Sequence, residues 1–198
     1  MNQLPNAEIF FLTTKKKLTR KSTHKLFGGK DILAVGLPAA YSPTDVQMVK
    51  EYEAAYDDIC ACGIDEIYFV AMNDPYVMDA WWKSMKIKKC KYLADGNGAF
   101  SFRVDQQGGM SGGLAVVEMY NRGLGKRSWR YACLIEDNCQ MAYLEEETPD
   151  GNVERNNLDS DIYELTTVPE TIKFLKNRNQ ADTIAKANEH AVDPAMPQ

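Results

Sequence analysis

Two short apolar runs, Asp31-Ile-Leu-Ala-Val-Gly36 and Glu66-Ile-Tyr-Phe-Val-Ala-Met72, constrain the fold more than any other feature of the chain. The second is rich in β-branched and aromatic residues, and both read as buried strands. Between them Val46, Val49, Tyr52, Tyr56 and Ile59 recur at helical spacing over residues 43–62, and Gly63 ends the pattern. A strand, a helix and a second strand in this order form a right-handed crossover, with the helix laid on one face of a parallel pair.

The alternation continues beyond this unit. Asn73-Asp74-Pro75 marks a turn and a helix start, with Asp74 as N-cap and Pro75 as the first helical residue; the helix runs to about Met85. Lys91 to Ala94 reads as a further short strand, and Asp95-Gly-Asn-Gly98 caps a short helix carrying Phe100 and Phe102. Ile9 to Leu12 is a first strand, followed by a basic stretch from Thr13 to Lys25 expected to be a solvated loop. Arg130 to Ile135 and Gln140 to Leu144 flank Asp137-Asn138, the signature of an antiparallel hairpin. Residues 105–113 are punctuated by glycine and read as a loop, and an acidic loop from Glu145 to Asp161 leads to a last helix, about Val168 to Lys176. The expected architecture is α/β: a central mixed sheet flanked by helices on both faces, the pattern of a thioredoxin-like fold. Residues 1–177 form that domain and 178–198 an ancillary tail, partly helical near Ala181 to Ala187.

Composition narrows the function classes. The chain has 198 residues, 44% hydrophobic and 26% charged, as ordinary globular domains do. A formal charge of −5 argues against general nucleic-acid binding, and no apolar run approaches the roughly 20 residues that span a bilayer. Five cysteines, without the spacing of a disulfide framework, and an N-terminus without a secretory pattern point to a reducing, cytoplasmic compartment. The two histidines, His24 and His190, lie at opposite ends of the chain, so neither a metal site nor a Ser-His-Asp triad is expected, and no cofactor is implied.

In open α/β sheets, sites form at the carboxyl ends of strands, which is where Leu37-Pro-Ala-Ala-Tyr-Ser-Pro-Thr-Asp45 lies. By themselves Ser42, Pro43 and Asp45 are a helix start with no chemistry: an N-cap, a first-turn proline and a capping-box carboxylate. The same start offers unpaired N–H groups and a positive dipole end to an anion.

This segment resembles the active-site loop of peroxiredoxins, whose pattern is Pro, three residues, Thr or Ser, two residues, Cys. Here Pro38, Ser42 and Asp45 fill those positions, so a carboxylate stands where the reactive sulfur is expected. Val70-Ala-Met-Asn-Asp-Pro-Tyr-Val-Met-Asp-Ala-Trp81 resembles the strand, Asn-Asp turn and Trp-bearing helix of the peroxiredoxin-five type. Leu93-Ala-Asp-Gly-Asn-Gly-Ala-Phe100 is similar to its Ala-Asp, Gly-Ala-Phe segment, and Trp129-Arg130-Tyr131 sits where that type carries its active-site arginine.

The resemblance implies a thiol-dependent peroxidase, an antioxidant enzyme that reduces hydrogen peroxide and alkyl hydroperoxides. Pro38 would shield the pocket, Ser42 would hydrogen-bond the peroxide, and Arg130, rather than Arg127 or Arg122, would hold the nucleophile as an anion. In that chemistry a thiolate attacks the terminal peroxide oxygen, water or alcohol leaves, and an external thiol reduces the sulfenic acid. Asp45 cannot take that part, although it resembles a cysteine oxidised to the sulfinate level. This form is therefore expected to turn over little or no peroxide, whether Asp45 replaces a native cysteine or is a natural divergence. A non-catalytic interaction or scaffold protein on the same fold is the alternative. A general-base role for Asp45 would need a raised pKa, which an arginine and a helix start oppose.

Among the cysteines, Cys60 and Cys62 are two apart on a helix and cannot pair easily, and Cys133 reads as a core thiol. Cys90 stands among Lys86, Lys88, Lys89 and Lys91, where positive charge lowers a thiol pKa, or in a solvated basic loop where it does nothing. No cysteine follows Cys139, so the family pattern implies a one-cysteine parent reduced by glutathione or a thioredoxin-like partner. A homodimer is also implied, with Tyr41, Pro75, Tyr76 and Trp81 as contributors. Adjacent Trp81 and Trp82 cannot both point inward from one helix stripe, so one of them is expected at the surface or in a partner contact.

Overall fold

The computed structural model describes residues 2–4, 6–102, 116–146 and 162–178. The glycine-rich loop at 105–113, most of the acidic loop and the tail from 179 onward lie outside these described residues. The strands are β1 (Asn2–Gln3), β2 (Glu8–Leu12), β3 (Leu18–Ser22), β4 (Asp31–Leu37), β5 (Glu66–Ala71), β6 (Lys91–Ala94), β7 (Val116–Met119), β8 (Gly125–Ser128), β9 (Tyr131–Glu136) and β10 (Cys139–Glu145). The helices are α1 (Thr23–Phe27), α2 (Pro43–Ala54), α3 (Tyr56–Cys60), α4 (Pro75–Met85) and α5 (168–178).

Eight strands form one mixed sheet in the order β1-β10-β9-β4-β5-β6-β2-β3, and β7 pairs with β8 in a separate ribbon. β4, β5 and β6 run parallel, as the strand, helix, strand pattern requires, while β9 and β2 pair antiparallel on either side of them. Strand alternation divides the core. Leu33, Val35 and Leu37 of β4 and Ile67, Phe69 and Ala71 of β5 meet Met48, Val49, Tyr52, Ile59, Met78 and Leu175 from α2, α3, α4 and α5. The alternate residues, Ile32, Ala34, Tyr68 and Val70, meet Leu26 and Phe27 of α1 together with Phe100. Helices on both faces of a mixed sheet are therefore what the chain forms.

The hairpin closes through Asp137 and Asn138, whose φ values of 41° and 65° are the left-handed pair that a two-residue turn between twisted strands needs. The Asp95 carboxylate accepts the N–H groups of Phe100 at 3.0 Å and Ser101 at 2.7 Å, the cap expected there.

Four expectations change. Residues 13–25 are not a solvated loop throughout: Leu18–Ser22 is an edge strand on β2, and Ser22 caps α1. Its outward Thr19, Arg20 and Lys21 lack the alternation of a half-buried strand, because an edge strand protected by charge needs none. The 43–62 helix is two helices, interrupted at Ala55. The β7–β8 ribbon carried no strand signal, since only Val117 and Met119 of β7 are buried. Finally, Trp81 and Trp82 are both buried, at 0% and 7% exposure. The helix α4 is covered on its flanks as well as beneath: Trp82 lies 5.8 Å from Phe69 and 5.5 Å from Tyr92 and donates to the Cys90 carbonyl at 3.0 Å, while Trp81 lies 5.9 Å from the Tyr41 ring.

Candidate functional site

Close approach of β9 to β4 sets the site. A Cβ at Gly36 would stand 2.3 Å from the Trp129 carbonyl oxygen and from the Tyr131 ring, so only glycine lets β9 start here. With Gly36 opposite Tyr131, Arg130 falls beside the end of β4 and the loop that follows it. That loop contains the buried Pro38 and turns at Tyr41, whose φ of 69° is left-handed. Ser42 then caps α2, its Oγ accepting from the Asp45 N–H at 3.1 Å, with Pro43 in the first turn.

The Asp45 side chain does not reach back to complete a capping box. The buried face of α2 is Asp45, Met48, Val49 and Tyr52, so the carboxylate points into the molecule. Its Oδ2 accepts from the Ala39 N–H at 2.8 Å and its Oδ1 from Arg130 Nη2 at 2.6 Å. Neither partner reaches solvent: Asp45 is 0% and Arg130 1% exposed. Sequence separation of 85 residues closes into one charge-assisted hydrogen bond. The structure thus gathers Pro38, Ser42, Asp45 and Arg130 at one end of β4.

Other groups complete the surroundings. Asn73 Oδ1 accepts from the Ala40 N–H at 3.2 Å, tying the loop to the start of α4. Arg130 Nη1 donates to the Ile162 carbonyl, and its guanidinium lies 6.0 Å from the Tyr163 ring centre. Tyr163 donates to Glu51 of α2 at 2.6 Å; burial and this carboxylate push its phenol pKa up. The 162–166 strap is held by the buried Glu146 carboxylate, which accepts the N–H groups of Glu164 at 3.0 Å, Leu165 at 2.9 Å and Thr166 at 2.7 Å and the Thr166 hydroxyl at 2.6 Å. In the sequence Asn73 is marked only as a turn, Glu146 lies in the polar loop that ends at Asp161, and Tyr163 belongs to no expected element. The Pro after Asn73-Asp74 was the one local hint. Arg122 lies in an exposed turn between β7 and β8, and Arg127 donates to the Met72 carbonyl at 3.3 Å, so the guanidinium beside Asp45 is that of Arg130.

The chain is similar to known proteins over most of its length. The family model described as Redoxin matches residues 2–162. The chain belongs to the peroxiredoxins. A peroxiredoxin of Rhizobium etli is 33% identical over 157 residues, covering 79% of this chain and 80% of its own length. Among solved structures, the Plasmodium falciparum antioxidant protein, described as a 1-Cys peroxiredoxin, superposes with a TM-score of 0.77 at 32% identity over 89% of this chain and 97% of its own. Peroxiredoxin 5 from Alvinella pompejana is similar at a TM-score of 0.62 and 27% identity, over 75% and 88% of the two chains.

Peroxiredoxins are thiol-dependent peroxidases, and the thiols of this one can be placed. Cys133 faces the α1 side of the sheet, where burial pushes its pKa up to about 12. Cys90 is neither solvated nor activated: it is 3% exposed, and burial, reinforced by the Glu53 carboxylate, pushes its thiol up. The lysines around it point outward, while Glu53 accepts the backbone N–H groups of Lys88, Lys89 and Cys90. Burial also raises Cys60, with Asp57 and Asp65 adding to the effect against a hydrogen bond from Tyr56. None of the five cysteines is held in a disulfide.

Proposed function

We propose that this chain is a peroxiredoxin held before its first chemical step, with Asp45 occupying the place of the peroxidatic cysteine. The observation that carries the reading is the fully buried contact between Asp45 and Arg130 at 2.6 Å. Family chemistry moves one oxygen atom from the hydroperoxide to a thiolate sulfur, releases an alcohol or water, and returns the sulfur to a thiol with electrons from two external thiols. A carboxylate has no such oxidation step that a thiol reverses. Asp45 instead supplies a permanent anion that fills the acceptor role towards Ala39 and the guanidinium, as an over-oxidised cysteine would. The raised thiols of Cys60, Cys90 and Cys133 support the view that none of these three takes over.

The direct test is peroxide consumption with glutathione in excess. The chain as it stands gives no rate above the blank, and Asp45→Cys gains turnover while Arg130→Met in that background loses it again. Turnover by the unaltered chain overturns the reading. An inactive but folded Asp45→Cys variant would favour the second one, a scaffold protein on this fold, to which the enclosure of both charges already lends weight.

Partners follow from the same reading: a hydroperoxide and an external thiol for the cysteine form, and a second copy of the chain. Tyr41 and Tyr76 are 53% and 59% exposed and, with Pro75, are suited to a homodimer contact, whereas the buried Trp81 is withdrawn from it. Light scattering at low concentration decides, and a monomer removes the dimer. The free cysteines support a reducing, cytoplasmic setting.

A further inference from the structure

We propose that the cavity beside the start of α4 binds a small organic carboxylate with an apolar body, the anionic end being taken by Arg127. The cavity has a volume of about 520 Å³, within the range of small-molecule sites. Among the described residues its apolar wall is Phe10, Leu18, Met72 and Tyr76, the last shared with the proposed homodimer contact, and Arg127 lies in the same lining. Gly96 opens the wall on the β6 side, where a side chain would stand 3.2 Å from the Asp74 Cα.

Arg127 is the reason for choosing an anion. Among the described residues its guanidinium makes two long contacts, from Nη1 to the carbonyls of Met72 and Lys126, both at 3.3 Å. Its Nε is buried and has no acceptor, and no carboxylate pairs with it among the described residues. Burial alone lowers its pKa, with no neighbouring charge acting in the opposite direction. Arg127 is only partly buried, but its Nε is shielded from water with its donor unused, which favours a negative group to complete it, and a carboxylate matches the planar fork. The one acidic side chain in the lining, Asp74, is engaged elsewhere: its Oδ1 caps α4, accepting from Tyr76 N at 2.8 Å and Val77 N at 3.0 Å. The apolar wall favours a ligand with a hydrocarbon or aromatic body over inorganic phosphate or sulfate. The inference does not depend on the chemistry of Asp45 and stands whether or not Asp45→Cys gains turnover.

The test is calorimetric titration of the full chain with 3-phenylpropionate and, separately, with the uncharged 3-phenylpropionamide and with inorganic phosphate. Saturable binding of one 3-phenylpropionate per chain is expected, at least tenfold tighter than the amide and than phosphate. Arg127→Gln should weaken it at least tenfold at unchanged Tm, and Leu18→Trp, which narrows the mouth without touching the arginine, should weaken it as well. Equal affinity for acid and amide, no saturable binding, or retention in a folded Arg127→Gln variant overturns the proposal. Should Arg127→Gln fail to fold, Leu18→Trp and the acid and amide pair decide, with undiminished binding in Leu18→Trp counting against this cavity.

Discussion

At the scale of single residues, Asp45 and Arg130 show how a pair of charges becomes tolerable inside a protein. Each is taken from water, and each is returned a set of partners: the Ala39 N–H for one, the Ile162 carbonyl and the Tyr163 ring for the other. Removing one member leaves a buried charge without its counterpart, so Asp45→Ala is expected to cost about 3–5 kcal/mol of stability, and Arg130→Met a similar amount. The double variant Asp45→Ala, Arg130→Met should lose less than the sum of the two, because no lone charge remains. Urea unfolding of the four proteins reads this out, and strict additivity would mean the pair is not coupled. That Asp45 sits at a helix start was legible from Ser42 and Pro43. That its carboxylate would be held by Ala39 was not, since a backbone donor leaves no mark on the sequence.

Elements show where local rules suffice and where they give way. The β9–β10 turn is set by its own two residues: Asn138→Val places a β-branched side chain at a φ of 65° and should cost about 1–2 kcal/mol, whereas Asn138→Gly should be nearly neutral, as thermal unfolding would show. Between strands, burial acts to raise the Glu66 pKa, but Lys91 and Lys30 outweigh it and bring it down to about 2. A folded pKa below the unfolded value means the contribution is present above roughly pH 4.3, the unfolded reference, and is lost as pH falls towards 2. Glu66 is partly exposed, so solvent screening keeps the effect modest. Glu66→Gln should therefore flatten stability against pH in that window, and an unchanged slope of the urea midpoint between pH 5 and 2.5 would contradict the assignment. Strand β3 escaped sequence reading because it is exposed along nearly its whole length, and the β7–β8 ribbon because each of its strands has only 4 residues.

Across the whole molecule, the strap at 162–166 joins parts that are far apart in the chain. Glu146 holds the strap, the strap meets Arg130, and Tyr163 reaches Glu51 on α2. Glu146→Gln keeps the shape but weakens the charge-assisted bonds to four donors, and about 1.5–3 kcal/mol of stability should go with them. In the Asp45→Cys background the same change should lower turnover by loosening Arg130, measurable as a fall in peroxide consumption at unchanged protein concentration. The sequence by itself determined the strand and helix alternation, the parallel centre and the hairpin, because apolar periodicity and turn residues act over a few neighbours. It also brought Pro38, Ser42, Asp45 and Arg130 into view through their likeness to a peroxiredoxin pattern. Only the tertiary structure decided that both tryptophans are enclosed, that Cys90 is a raised core thiol despite four lysines, and that Arg127 lines a cavity with no carboxylate paired to it among the described residues. Those outcomes depend on what covers a residue and how much water is left beside it, and such covering is assembled from segments that lie far apart along the chain.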